Sequence, residues 1–349
     1  MKHVLTAAVM AASFGAGAGA ATLDATFTGL VTLGDSLVDT GNIPNTPVPD
    51  VYYQAPDKIG RQFSNGPVLS DLLDDDFGGH APGGAARSYA FGGARVGPGG
   101  PVPSYGEQIG LFLGDRAGAN LGPADALFPG TPDLGNRPLV ATWIGANDAF
   151  ALIDGVAGGT LDVAGALDGV RQVAAGVAAG IATLSAAPGL DDFLVMTMPD
   201  LGRTPAAAAY PDAGLGTALA QAFNETLGLS LAAIEGDGTR IEVLDTYSLL
   251  GDVLDAPEAY GFAEGGLPCV LNAGGTLAAG PCADPDGYVF WDAVHPTGAA
   301  HALLAGYVRD LYPGATAPEA PAPVPVGPAL PLLAGGLGAL VLIRRRRAT

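Results

Sequence analysis

The stretch LVTLGDSLVDTGN, residues 30–42, joins a short apolar run to a polar turn that begins at Gly-Asp-Ser. A run of this length and apolarity is typical of a strand buried on both faces of a parallel sheet. Such a strand would end at the edge of the sheet and present Ser36 there. The hydroxyl of Ser36 is then either a catalytic nucleophile or one polar group in a turn, and the rest of the chain must distinguish the two.

Further apolar runs of the same kind follow, separated by stretches of helical length and spacing. The five candidate strands are GLVTL (29–33), SYAF (88–91), PLVATWIG (138–145), DFLVMTM (192–198) and RIEVLD (240–245). The candidate helices are SYGEQIGLFLGDRAG, the Ala-rich stretch 160–186, GTALAQAFNETLGLSLAAIE and a final helix from Pro296. This alternation predicts a three-layer α/β/α domain with a central parallel sheet of about five strands.

The composition limits the classes of partner. The chain has 349 residues, 48% of them hydrophobic, so it can bury a full core despite its 54 glycines and 29 prolines. Its formal net charge is −20. Nucleic acid is therefore not an expected partner, because binding phosphates needs an excess of Lys and Arg side chains.

Residues 1–21 have a basic start, an apolar stretch and small residues at Ala18 and Ala20. This pattern is typical of a secretory signal peptide, and the apolar stretch is too short to span a membrane. We expect cleavage near Ala20 or Ala21 and export of the protein. The folded domain is then expected to cover residues 22–313.

The other end of the chain also has the pattern of a targeting signal. Residues 314–329 form a Pro-rich linker, and residues 330–349 contain a short apolar segment that ends in four arginines. Such a segment predicts a short transmembrane helix with its end in the cytoplasm. The layout resembles sorting signals of the PEP-CTERM type with a VPLPA-like motif, which stands here at residues 324–329. The resemblance implies membrane attachment until a sorting protease acts, and a periplasmic, cell-surface or extracellular location.

Cys269 and Cys282 are the two cysteines of the chain. In an exported protein an isolated pair this close predicts a disulfide, worth about 3 kcal/mol for a loop of this size. The sequence contains no HExxH motif and no second CxxC-like pair, so a metal site is not expected.

A serine nucleophile needs a base that takes its proton, and three histidines remain once the signal peptide is removed. His80 lies in a Gly/Pro-rich loop, and His301 falls on the expected polar side of the last helix. His295 lies three residues after Asp292, so the two side chains can share one turn. The carboxylate would then hold the imidazole in the tautomer that accepts a proton. His295 is therefore the expected base, and His80 is the next candidate.

A pocket of hydrogen-bond donors must also receive the oxyanion that forms on attack. Asn147 directly follows the third candidate strand, where its amide could donate to an oxyanion or cap the next helix. Gly93 follows the second candidate strand in FGGAR. Glycine pairs are frequent in so Gly-rich a chain, so the pair alone carries little weight.

Taken in order, the blocks GDSLVDTGN, SYAFGGA, GAND and FWDAVHPT resemble those of the GDSL, or SGNH, family of serine esterases and lipases. The resemblance implies a flavodoxin-like SGNH hydrolase fold with Ser36, Asp292 and His295 as the catalytic residues. It further implies an oxyanion hole formed by the backbone N–H groups of Ser36 and Gly93 and by the amide of Asn147.

The resemblance covers roughly residues 28–312. Within the family, the chain is similar to the longer members related to plant GDSL esterases and bacterial hemolysin-type phospholipases. Ser88 departs from the pattern, because the family usually has Asn at that position of the second block. We expect this departure to remove a supporting contact without affecting the backbone donor.

The resemblance implies an exported enzyme that hydrolyses carboxylic esters through an acyl-enzyme on Ser36, without a metal or organic cofactor. Its substrate would be a lipid, a small ester or an acylated sugar. Two enzymatic alternatives keep the same site, namely acyl transfer to an alcohol and O-deacetylation of a polysaccharide. A third is a non-catalytic surface or matrix protein on the same fold.

Overall fold

A computed structural model of the chain describes residues 22–312, except residues 57, 80–82, 211, 237 and 271–280. The predicted signal peptide and everything after Tyr312, including the linker and the apolar end, lie outside the described residues. Within the described part, no helix is long and apolar enough to cross a membrane.

Five parallel strands form the central sheet. They are β1 (Gly29–Gly34), β2 (Ala86–Ser88), β3 (Pro138–Trp143), β4 (Asp192–Met196) and β5 (Arg240–Leu244). Their order is β2-β1-β3-β4-β5, and every neighbouring pair is parallel. This is the flavodoxin-like order of a doubly wound sheet, and it confirms the predicted fold class.

Seven α-helices accompany the strands in the described residues. They are α1 (Leu69–Asp74), α2 (Tyr105–Arg116), α3 (Ala146–Ala157), α4 (Val163–Ser185), α5 (Ala213–Ala232), α6 (Thr246–Asp255) and α7 (Gly298–Asp310). Strand side chains alternate between two hydrophobic clusters. Val31 packs in one cluster with α2, α3, α4 and α5, whereas Leu30 packs in the other with α1 and α7. The three-layer arrangement follows from this alternation.

A small second sheet precedes α7 and was not predicted. Its strands are β6 (Glu264–Pro268) and β7 (Tyr288–Phe290). A disulfide joins Cys269 to Cys282 directly after β6, as predicted. The backbone N–H of Cys269 donates to the carbonyl of Phe290 at 3.0 Å, so the disulfide-bonded segment is attached to the strand that leads toward Asp292.

Several predicted boundaries differ from those of the structure, and two of them bear on the site. β2 covers residues 86–88 instead of 88–91, although the backbone N–H groups of Tyr89 and Phe91 still donate to carbonyls of β1. The last helix starts at Gly298 and not at Pro296. The hydroxyl of Thr297 accepts the backbone N–H of Ala300 at 3.2 Å, so Thr297 caps this helix.

Gly34, the last residue of β1, brings the backbones of β1 and β3 into close contact. A Cβ atom there would lie 2.2 Å from the carbonyl oxygen of Trp143 and 2.5 Å from Cγ2 of Val38. The side chain of Gln108 also binds this residue, accepting from its N–H at 2.9 Å and donating to its carbonyl at 2.8 Å. Residue 34 must therefore be glycine for β1 to end where it does.

Replacing Gly34 with alanine is expected to lower the free energy of unfolding by about 1–3 kcal/mol, because the new Cβ would push β1 away from β3. Gly228→Ala is the matched control, since residue 228 lies within α5 and a Cβ there meets no atom within 4 Å. That change should raise stability by about 0.5–1 kcal/mol through helix propensity. Urea unfolding measures both, and equal midpoints for wild type and Gly34→Ala would contradict the close contact.

Candidate active site

Three of the blocks found in the sequence follow neighbouring strands at the same edge of the sheet. Ser36 lies two residues after β1, Gly93 lies in the turn after β2, and Asn147 is the second residue of α3, directly after β3. Because β1 lies between β2 and β3, the three turns are adjacent at the carboxyl ends of the strands.

His295 comes to this edge from the far end of the chain. Its Nε2 lies 2.8 Å from Oγ of Ser36, and its Nδ1 lies 2.7 Å from Oδ2 of Asp292. The three side chains thus form one continuous line of hydrogen bonds. Ser36 and Asp292 are 7% and 5% exposed, whereas the His295 side chain between them is 15% exposed.

The carboxylate of Asp292 is held on both oxygens. Its Oδ1 accepts the backbone N–H groups of Val294 and His295, each at 2.8 Å. Its Oδ2 accepts the phenol of Tyr52 at 2.7 Å in addition to the imidazole. Tyr52 is itself buried against the ring of Trp291. No local pattern in the sequence points to Tyr52, which lies 240 residues from Asp292 in a loop without periodicity.

A loop before α1 supports the histidine segment. The ring of Phe63 packs against the imidazole of His295, with 5.3 Å between centroids. The hydroxyl of Ser64 donates to the carbonyl of Pro296 at 2.9 Å, and Oδ1 of Asn65 accepts the N–H of Gly298 at 2.8 Å. These contacts fix the imidazole in a chain segment that has no strand or helix of its own.

The charges of Asp292 and His295 favour an ionised carboxylate on Asp292 and a basic imidazole on His295. Burial lowers the pKa of His295, but the negative charge of Asp292 and the hydrogen bond to it raise that pKa overall. Burial also raises the pKa of Asp292, yet the positive charge of His295 and the hydrogen bonds bring it below its ordinary value. The imidazole is therefore a stronger proton acceptor than a histidine in water.

Asp35 adds a buried carboxyl next to Ser36. Its Oδ1 accepts the N–H of Leu37 at 3.1 Å, whereas its Oδ2 is buried and has no hydrogen-bond partner among the described residues. Burial is the main cause that raises the pKa of Asp35 to about 7, opposed by the Leu37 N–H and by His295. The negative charge of Asp35 contributes in turn to the raised pKa of His295.

Donors for an anion lie beside the hydroxyl of Ser36. In the described part of the chain, no residue accepts a hydrogen bond from the backbone N–H of Ser36 or of Gly93. Gly93 has a positive φ of 79°, which glycine adopts without strain. The amide of Asn147 donates to the carbonyl of Ala94 at 3.1 Å and does not cap α3. One amide hydrogen of Asn147 thus remains to donate, and the bond to Ala94 keeps it near Gly93.

The second half of GDSLVDTGN joins the first two blocks. Oδ2 of Asp39 accepts the N–H of Gly92 at 2.7 Å. The amide of Asn42 donates to the carbonyls of Ser88 and Ala90 at 3.0 and 2.9 Å. Ser88, where the family usually has Asn, makes a hydrogen bond of its own, because its hydroxyl donates to the carbonyl of Val38 at 3.0 Å.

The outcome for the other two histidines differs. His80 lies outside the described residues. His301 was expected on the polar side of the last helix, but it is fully buried, and burial lowers its pKa to about 3. Among the described residues there is also no group of three or more His, Cys, Asp or Glu side chains arranged for a metal ion.

An apolar cavity opens beside the serine. Ser36, Asn147 and His295 are among its lining residues, together with side chains of α6, β7 and α7. Its cavity volume is about 180 Å³, excluding the open solvent at its mouth. A hydroxyl bonded to a basic imidazole, two unused N–H groups and an adjoining apolar cavity together suit nucleophilic attack on an apolar carbonyl compound.

Several known proteins are similar to this chain. The thermolabile hemolysin of Vibrio parahaemolyticus is 27% identical over 298 residues, covering 79% of this chain and 62% of the hemolysin. A GDSL esterase/lipase of Arabidopsis thaliana is 36% identical over 88 residues, covering 22% of this chain and 24% of that protein. An acetylxylan esterase from Geobacillus stearothermophilus of known structure aligns with 85% of this chain and 95% of its own, at 16% identity and a TM-score of 0.39.

This chain thus spans less than two thirds of the length of both curated relatives. A family model described as GDSL-like lipase/acylhydrolase matches residues 30–308, which is most of the chain. That match runs from the strand before Ser36 to the helix after His295. The chain therefore belongs to the GDSL-like lipase/acylhydrolase family.

Proposed function

We propose that this chain hydrolyses carboxylic esters through an acyl-enzyme on Ser36, with His295 as the base and Asp292 as its orienting carboxylate. The observation that carries the proposal is the unbroken hydrogen-bonded line from Ser36 through His295 to Asp292. Membership of a family of lipases and acylhydrolases supports the same reaction class.

In the first half of the reaction, Oγ of Ser36 attacks the ester carbonyl carbon while Nε2 of His295 takes the hydroxyl proton. The carbonyl oxygen becomes an oxyanion. When the tetrahedral intermediate collapses, the bond to the leaving alcohol breaks, and His295 returns its proton to that alcohol. Asp292 stays ionised throughout and stabilises the imidazolium.

In the second half, water replaces the alcohol beside His295. The imidazole takes one proton from the water, and the resulting hydroxide attacks the acyl carbon. Collapse breaks the bond to Ser36, whose Oγ regains the proton from His295. The products are one acid and one alcohol, and the reaction needs no cofactor.

The simplest test is the loss of esterase activity in Ser36→Ala. Hydrolysis of p-nitrophenyl acetate should fall by at least about 1000-fold, because no other hydroxyl in the described part of the chain has the imidazole of His295 as its partner. Circular dichroism checks that the variant folds. Ser185→Ala, whose hydroxyl donates to the carbonyl of Ala182 at the end of α4, is the matched control and should retain full activity. Near wild-type turnover by folded Ser36→Ala would end the proposal.

The oxyanion donors are proposed to be the N–H groups of Ser36 and Gly93 and the amide of Asn147. Asn147→Ala should therefore lower kcat by about 100- to 1000-fold, as expected for one oxyanion donor, with KM little changed. Steady-state kinetics separates the two constants. A rise in KM with kcat unaffected would instead assign Asn147 to substrate binding or to the support of Ala94.

The activity should also depend on pH through His295. Since the pKa of His295 is raised above its ordinary value of 6.5, the acid limb of kcat/KM should have its midpoint above pH 6.5. Below that midpoint the imidazole is protonated and cannot act as a base. Asp35→Asn removes one negative charge that raises this pKa, so the midpoint should move to lower pH. A midpoint that stays the same or rises would contradict this coupling.

We further propose that the protein is exported, and that its C-terminal signal is removed by a sorting protease. Three observations support this: the signal-like residues 1–21, the disulfide, which is typical of oxidising compartments, and the apolar segment that ends in Arg344–Arg347. The intact mass of the mature protein from its host tests the proposal, because retained arginines would indicate a permanent anchor.

A further inference from the structure

The phenol of Tyr52 and the imidazole of His295 bind the same oxygen of Asp292. Oη of Tyr52 and Nδ1 of His295 each lie 2.7 Å from Oδ2. The other oxygen, Oδ1, accepts the backbone N–H groups of Val294 and His295. The N–H donors lie within three residues of Asp292, whereas Tyr52 belongs to a distant part of the chain. The phenol is therefore a contact that only the folded protein supplies.

The hydroxyl of Tyr52 is a permanent donor to this carboxylate. Burial raises the pKa of Tyr52, and the negative charge of Asp292 and the hydrogen bond to it raise that pKa further. The phenol therefore keeps its proton at every pH at which the imidazole of His295 titrates. Since the ionised carboxylate has no proton to give, the hydrogen bond has one direction, from Tyr52 to Asp292.

The loop that carries Tyr52 also carries residues that hold the histidine. The N–H of Tyr53 donates to the carbonyl of Ser64, and the N–H of Gln62 donates to the carbonyl of Tyr53, both at 2.8 Å. Phe63, between Gln62 and Ser64, packs its ring against the imidazole. These backbone hydrogen bonds join the phenol on the carboxylate and the phenyl ring on the imidazole into one unit.

Tyr52 is held at its backbone and at its ring. Nη1 of Arg61 donates to the carbonyls of Tyr52 and Asp50 at 2.7 and 3.2 Å, and Nη2 forms an ion pair with Asp50 at 2.8 Å. The ring of Tyr52 packs edge-on against Trp291, with 5.9 Å between centroids, in a buried cluster that includes Cys269. The hydroxyl is therefore fixed in place before any substrate binds.

Other charged groups lie around the two residues: Asp35 after β1, Asp148 in α3, His301 in α7 and the ion pair of Arg61 with Asp50. The negative charge of Asp35 raises the pKa of His295, as that of Asp292 does. Burial lowers the pKa of His301 to about 3, so this ring is neutral near pH 7. The phenol of Tyr52 acts in the opposite sense to the two carboxylates. Its hydrogen bond stabilises the charge of Asp292 and so weakens the attraction of that charge for the imidazolium.

The reaction needs such a balance, because His295 must return the proton that it takes. An imidazole that is too basic is already protonated near pH 7, and it is a poor acid toward the leaving alcohol. We propose that Tyr52 is a positioning residue that acts through Asp292. Its hydroxyl holds the carboxylate in line with His295 and limits the negative charge that the imidazole meets. The proposal rests on the proposed ester hydrolysis at Ser36.

The first test measures the imidazole itself and needs no substrate. Histidine rings labelled with ¹³C are titrated by NMR in wild type and in Tyr52→Phe, and the His295 signal is the one that His295→Gln lacks. Tyr52→Phe removes the hydroxyl and keeps the ring. The pKa of His295 should therefore rise by about 0.5–1 pH unit. An unchanged or lower pKa in folded Tyr52→Phe would overturn the proposal.

Steady-state hydrolysis of p-nitrophenyl acetate tests the consequence for turnover. In Tyr52→Phe the acid limb of kcat/KM should move to higher pH, opposite to the shift expected for Asp35→Asn. At pH 7, kcat should fall about three- to tenfold, because more of the imidazole is protonated. KM should stay within about twofold, since neither Tyr52 nor Asp292 lines the cavity beside Ser36. A rise in KM with kcat unchanged would contradict a positioning role.

Tyr210→Phe is the matched control. The hydroxyl of Tyr210 also donates to an aspartate, Oδ1 of Asp154 at 3.0 Å, but this pair is exposed. Tyr210→Phe should keep the wild-type titration and kinetics. If both Tyr→Phe variants shifted the pKa of His295 equally, the effect would not belong to the Tyr52 hydroxyl and the proposal would fail.

Arg61→Lys is the second variant, should Tyr52→Phe fail to fold by circular dichroism. It keeps the positive charge but loses the paired contacts to the two carbonyls, so the pKa of His295 should still rise. No movement in Arg61→Lys would then overturn the proposal. A wild type that cleaves no ester, with the expected NMR shift in Tyr52→Phe, would end the proposed function and leave the control of the imidazole by Tyr52 standing.

Discussion

The backbones of β1 and β3 meet at residue 34 more closely than any residue with a side chain would allow. Gly34 pairs in register with Trp143, so the two strands end at the same level of the sheet. The turn that carries Ser36 and the helix start that carries Asn147 therefore begin side by side. Both the hydrogen-bonded line and the donors around it depend on this contact. If one strand were displaced, the hydroxyl of Ser36 would move away from the imidazole of His295 and from the amide of Asn147.

Much of the fold and of the site was predictable from local patterns. Continuous apolar runs indicated the parallel strands, and the rule that sites lie at their carboxyl ends brought Ser36, Gly93 and Asn147 to one edge. The spacing between Asp292 and His295 indicated a shared turn because the distance along the chain is short. Each of these inferences used residues that are close in sequence or that follow a strand. Local patterns of this kind do not depend on contacts between distant segments.

Other features depend on contacts between distant segments, which leave no local pattern. Tyr52 reaches Asp292 from a loop of irregular structure, and only the folded chain brings the two together. His301 was placed on the wrong side of α7 because a polar residue in a helix is usually exposed, whereas here the helix packs that side against α1. The cavity wall combines α6 with α7, and neither helix face alone indicates that a space lies between them.

Ser36 and His295 are separated by 259 positions, and only α7 follows the histidine within the described residues. Ribosomes release the amino end first, so a growing chain contains the hydroxyl long before it contains the imidazole. Closing so long a loop costs little more free energy than closing a short one, because the entropic penalty grows only with the logarithm of loop length. Incomplete translation products that end before His295 thus lack the Ser36–His295 pair. The order of residues along the polypeptide means that the hydroxyl and the imidazole can meet only after almost all of the described domain has been synthesised.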